Sequence, residues 1–112
     1  ELQRAFPDLP MVGTGYSWLQ IYAIHAGAAN VADGSIRFFG MGRNALAYPE
    51  FARDALRTGV LDDKRVCRTV TFCTYLMRQK HNDLGQFETG CPPYDKEVYG
   101  PVIKLARATK PK

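Results

Sequence analysis

Twice in its first sixty residues the chain repeats one pattern: a short apolar run, a turn flanked by glycines, then a helix-type segment. The first copy is Leu9-Pro10-Met11-Val12-Gly13-Thr14-Gly15, followed by Ser17 to Ala32 with Leu19, Ile21, Tyr22, Ile24, Ala26, Ala29 and Val31 and no interior proline. Proline is tolerated where a strand begins and glycine punctuates where it ends. Ser17 suits an N-cap and Asp33-Gly34 a stop. The second copy, Ser35-Ile36-Arg37-Phe38-Phe39-Gly40-Met41, ends at Gly40 and Gly42 and runs straight into Arg43. Asn44–Ala47 then reads as one helical turn. Pro49 stands at a helix start, Glu50 to Arg57 continues that helix, and Gly59 ends it. Parallel neighbours need a crossover helix, so two such units predict an α/β fold with parallel strands.

The remainder changes character. Asp62 or Asp63 can cap a helix from about Lys64 to Lys80, with Val66, Val70, Cys73, Leu76 and Met77 toward one face. Turn-rich stretches follow at His81-Asn82-Asp83-Leu84-Gly85 and Gly90-Cys91-Pro92-Pro93. The amphipathic segment 96–108 is interrupted by Gly100-Pro101, which places the expected helix from Pro101 onward. The sequence thus divides into 1–60, the two βα units, and 61–112, a C-terminal helical extension.

Composition narrows what such a chain does. At 112 residues there is room for one domain. No apolar run approaches the roughly 18 residues that cross a bilayer, and the N-terminus has no signal-peptide pattern. With three cysteines, an odd number, a disulfide framework is not expected and a reducing cytoplasmic setting is. The absence of an initiator Met suggests a trimmed product or a piece of a longer chain. Fifteen Lys+Arg against eleven Asp+Glu give a net charge of +4, too thinly spread to predict a nucleic-acid face.

Glycine-ended strands that feed helices make a phosphate site reasonable, because glycine lets an anion approach backbone N–H groups without a Cβ in the way. Gly13-Thr14-Gly15 forms one such turn and Gly40-Met41-Gly42-Arg43 the other, where the Arg43 guanidinium adds a fork for phosphate oxygens. In eight-stranded α/β barrels the turns after strands 7 and 8 commonly do this. The plainer reading is two tight βα turns with a solvated Arg43, since neither turn carries the full dinucleotide or P-loop fingerprint. Tyr16 and Trp18 read as packing residues that shape the first turn. His25 and His81 have no partners at metal-ligand spacing. No nucleophile–base pair is evident.

The strings P-M-V-G-T-G-Y-S-W and I-R-F-F-G-M-G-R-N-A-L-A-Y-P-E-F, some twenty residues apart, resemble the C-terminal part of the Old Yellow Enzyme family. These are FMN-dependent NAD(P)H:flavin oxidoreductases, and the likeness is to the trimethylamine dehydrogenase and dienoyl-CoA reductase branch. The resemblance spans about residues 8–75. It implies strands 7 and 8 of a (β/α)8 TIM barrel, with Gly13, Gly15 and Tyr16 at the first FMN-phosphate turn and Gly42 and Arg43 at the second. The family's iron–sulfur branch carries C-x2-C-x2-C here. Cys67 and Cys73 keep its outer positions, but Val70 replaces the middle one and Cys91 follows at a longer spacing, so a cluster is not expected.

The resemblance therefore implies the last quarter of a flavoenzyme that uses NAD(P)H and a small-molecule substrate. Such a piece contributes the FMN phosphate site but is inactive alone, because ring-gripping and proton-donating residues come from earlier strands. Its partners would be the rest of the barrel, or further copies joined through exposed strand edges. The alternative is a stand-alone, non-catalytic α/β module that binds a phosphorylated ligand or a protein partner. A weaker third reading is a redox or metal protein built on Cys67, Cys73 and Cys91.

Overall fold

A computed structural model describes residues 1–79 and 87–109. The chain divides into two compact units, Glu1–Thr69 and Val70–Lys112. Residues 61–69, placed by sequence with the extension, therefore lie in the first unit. Lys80, His81 and the turn after it, and Lys110 and Lys112, fall outside the described residues.

The first unit begins with α1 (Leu2–Ala5) and strand β1 (Val12–Gly13). Buried Gln3 holds the segment between them: its amide nitrogen donates to the Phe6 and Leu9 carbonyls, and its Oε1 accepts from the Met11 N–H at 2.8 Å. A 3₁₀ helix (Tyr16–Tyr22) and α2 (Ala23–Ala32) follow, and then strand β2 (Phe38–Phe39). The strands pair in parallel, Val12 beside Phe38 and Gly13 beside Phe39. This is a small α/β arrangement, and the expected crossover between parallel strands is present.

Side-chain alternation gives the two-stranded sheet two different faces. Phe39 turns toward α2, where Gly27 lets the helix close on it: a Cβ at Gly27 would stand 2.5 Å from the Phe39 ring. Val12 and Phe38 share the opposite face and are 57% and 59% exposed. The sheet is covered on one side only.

After β2 come α3 (Asn44–Ala47) and α4 (Phe51–Thr58), which Gly59 ends in the left-handed conformation expected of a terminal glycine. The core gathers Ala23, Met41, Tyr48, Leu61 and Val66. Fully buried Tyr48 donates its hydroxyl hydrogen to Asp54 at 2.6 Å, and Arg65 lies over the Tyr48 ring at 4.3 Å while pairing with Glu50. This cluster anchors 62–66 to α4. Burial first, and then the bond to Asp54, push the Tyr48 phenol up. The bonds from Tyr48 and Arg53 hold the Asp54 carboxyl below its usual range.

Three sequence expectations need correction. The segment 17–32 is not one helix capped by Ser17. Gly15, in the left-handed region, precedes a 3₁₀ helix broken at Gln20 (φ 49°, ψ −119°), and the α-helix starts at Ala23. The helix from Lys64 to Lys80 shrinks to α5 (Phe72–Arg78). Asp62 does accept from the Lys64 N–H, but only one turn forms. Val66 and Cys67 enter the first unit's core, and Thr69 and Thr71 take positive φ, while β-branched Thr69-Val70-Thr71 resists helix. Finally, α6 (Lys96–Ala108) starts five residues before Pro101, with Asp95 accepting from the Val98 N–H as an N-cap. Pro101 sits early enough in the helix that the carbonyl it leaves unbonded, on exposed Glu97, is open to water.

The second unit packs Leu76 of α5, Phe87 and Ala106 of α6. Among the described residues no helix is long and apolar enough to cross a membrane.

Candidate functional site

The parallel register brings the two glycine turns to the same end of the sheet. Gly40 N–H donates to Gly13 C=O at 2.8 Å, which joins the tips directly. A Cβ at Gly40 would meet Val12, Gly13 and Thr14 at 3.4–3.8 Å, so the second strand's end rests against the first turn.

Each residue singled out by sequence has a distinct place. Gly13 is a packing glycine, since a Cβ there would stand 2.7 Å from the Ile36 side chain and 3.1 Å from the Tyr16 hydroxyl. Gly15 is exposed at φ +91°, and a Cβ would meet nothing within 4 Å. Its glycine is required by conformation, and the space over it is open. Gly42 is exposed and equally open, held there because neighbouring Met41 is buried in the core.

Tyr16 turns its side chain inward. Its hydroxyl accepts from the Asn30 amide at 2.7 Å, and its ring meets Phe39 edge-on at 5.4 Å. The packing role expected of Tyr16 fits this, and only its backbone N–H remains for a ligand at the tip. Arg43 is half-buried and sets its guanidinium 5.4 Å from the centre of the Trp18 ring. The second tip thus reaches across to the helix that leaves the first. Among the described residues, no carboxylate pairs with Arg43.

Trp18 is the residue whose role sequence reasoning missed. It is 68% exposed, so it supports Arg43 and not the core. A cation over an indole face is favourable and pre-orients the guanidinium. The sequence offers position alone, a Trp three residues after one glycine turn and an Arg directly after its twin, and position does not show that the two side chains meet. Asn44, next to Arg43, is fully buried. Its Oδ1 accepts from the Cys67 N–H at 2.9 Å, while its amide nitrogen has no partner among the described residues. That bond ties the segment after the second tip to residue 67. Arg68 donates to the Gln20 side chain at 2.8 Å and pairs with Asp63 at 3.2 Å, spanning the kink in the 3₁₀ helix.

Cys67 and Cys73 are buried, one in each unit, and Cys91 is half-buried. Cys67 Sγ accepts from the Thr69 N–H. Among the described residues no group of three His, Cys, Asp or Glu side chains is placed to hold a metal. His25 is exposed on α2, beside an apolar hollow between α2 and α4.

The arrangement suits the phosphate end of a ligand: two open glycine tips, joined by a backbone hydrogen bond, and one guanidinium that pairs with no carboxylate among the described residues. Comparison of the chain with protein-family models, curated proteins and solved structures returns no match in any of the three.

Proposed function

We propose that the chain is the C-terminal quarter of a (β/α)8 barrel and supplies the FMN phosphate site of an FMN-dependent NAD(P)H oxidoreductase. The observation that carries the reading is the parallel pairing of Val12 with Phe38, which sets two glycine tips together with Arg43 beyond them. The backbone N–H groups at Gly15, Tyr16 and Gly42 and the Arg43 guanidinium would hold the phosphate. When bound, the flavin supplies hydride transfer. The residues of this chain orient its phosphate, and earlier strands supply the ring and substrate contacts. The bare face with Val12 and Phe38 fits a barrel interior, where neighbouring strands would cover it.

FMN and riboflavin share the ring and differ in the phosphate. Trp18, the chain's single tryptophan, lies against Arg43 and reports on the site. Without the earlier strands this piece is expected to hold flavin only weakly, but FMN should quench Trp18 saturably at high concentration and riboflavin far less. Arg43→Gln is expected to weaken FMN by about tenfold to a hundredfold, the usual range for a charge-assisted contact of about 1.5–3 kcal/mol. Equal affinity for both flavins, or an unchanged Arg43→Gln variant, contradicts the assignment.

A further inference from the structure

A second basic hollow lies wholly within Val70–Lys112 and shares no residue with the tips. Val70, Thr71, Phe72, Tyr75 and Arg107 line a hollow of about 540 Å³. A smaller one of about 400 Å³ shares Thr71 and Tyr75 and adds Thr74, Arg78 and Gln79. The two hollows adjoin at these shared residues. Both volumes fall within the few hundred to about 1,000 Å³ usual for small-molecule sites.

The smaller hollow brings Thr71, Thr74, Arg78 and Gln79 together. The larger gathers Val70, Phe72, Tyr75 and Arg107. Arg107 lies 5.8 Å from the centre of the Phe72 ring, beside Val70 and the Tyr75 ring. Tyr75 gives its hydroxyl hydrogen to the Ala106 carbonyl at 3.4 Å, which ties α5 to the end of α6 and fixes Arg107 next to it. Among the described residues no carboxylate lines either hollow, and neither Arg78 nor Arg107 pairs with one. The sequence agrees in sign: residues 70–112 carry seven Lys+Arg against four Asp+Glu, whereas 1–69 carry eight against seven.

We propose that the adjoining hollows form one groove that binds a small organic phosphate. The phosphate accepts from Arg78 and from the Thr71 and Thr74 hydroxyls, a charge-assisted set. An aromatic or apolar body lies against Val70, Phe72 and Tyr75, where the Arg107 plane stacks on it.

The test titrates the full chain with phenyl phosphate while its amide resonances are followed by NMR. Saturable shifts are expected at Thr71, Thr74, Tyr75 and Arg78, with half-saturation at or below about 1 mM. Inorganic phosphate, which lacks the ring, should bind at least about tenfold more weakly, as should phenyl phosphate to Arg78→Gln, and Arg78→Lys should recover part of the loss. Arg78 is exposed, so these variants fold as the parent does. The proposal is overturned by shifts confined to Gly15, Gly42 and Arg43, by equal binding of phenyl and inorganic phosphate, or by an Arg78→Gln variant that binds as the parent does. Shifts confined to the glycine tips would leave the FMN reading standing, which keeps the two tests separate.

Discussion

The two units solve the problem of a small core differently. In Glu1–Thr69 a fully buried tyrosine is both packed and wired. Tyr48 fills the centre with Met41, Leu61 and Val66, and its hydroxyl reaches a cluster of Asp54, Arg65 and Glu50. In Val70–Lys112 the core is Leu76, Phe87 and Ala106, packed by Tyr75, Val102 and Ile103. The first unit fixes loops chiefly by side-chain hydrogen bonds and ion pairs, whereas the second packs two helices through apolar contact with one tyrosine hydroxyl bond beside it. Directional bonds hold a turn in one conformation, which a phosphate cradle requires.

Truncation should bring out this contrast most strongly. Tyr48→Ala removes a fully buried ring together with its bond to Asp54, and should cost about 3–5 kcal/mol. Leu76→Ala should cost about 2–3 kcal/mol, the low end for leucine, because a core of few side chains can collapse around the gap. Denaturant unfolding followed by amide signals from each unit checks both, and equal losses would erase the distinction.

Close glycines make a second comparison. Gly90 sits so tightly on the Tyr99 ring that a methyl group would overlap it, and Gly27 sits similarly on Phe39. Overpacking costs about 1–3 kcal/mol. At Gly90 the atoms met are the far end of the Tyr99 side chain, which can swing aside, whereas at buried Gly27 they include Phe39 Cβ, which cannot. Gly27→Ala should therefore be the more damaging variant in thermal unfolding, even though alanine recovers about 1 kcal/mol of helix propensity there.

The smallest effect is in acid. Asp54 is held below its usual range by Tyr48 and then Arg53, and Glu50 is held below its own by its backbone N–H and then Arg65. A carboxylate whose folded pKa is depressed stabilises the fold fully above its unfolded pKa, and loses that contribution as pH falls through the folded one. The first unit should therefore weaken as pH falls below about 4–5. Tyr48→Phe removes the bond that lowers Asp54 most and should flatten this slope. An unchanged slope would mean that the bond does not hold the carboxylate down.

How much the sequence disclosed follows the same division. The reason for glycine at Gly13 is contact with Ile36, 23 positions on, which only the fold shows, whereas Gly15 was legible because its demand is local, a positive φ. Gly59 marked the end of α4 for the same reason. The helix proposed over 64–80 failed because its fate was decided far away in sequence. Asn44 holds Cys67, Glu50 holds Arg65, and both draw the segment out of helical geometry. The Pro101 break failed because Asp95, six residues earlier, already starts the helix. At the site, Arg43 was legible from its place after a glycine turn. The Trp18 ring beneath it was not, because the contact joins side chains 25 positions apart.

The most direct test of the central claim follows the amides of Gly15, Tyr16, Gly42 and Arg43 by NMR as FMN is added to the full chain, with riboflavin as the control. Shifts that gather at those four residues with FMN, and vanish with riboflavin, are the predicted result. Shifts elsewhere, or the same pattern from riboflavin, would show that the joined glycine tips do not hold the phosphate.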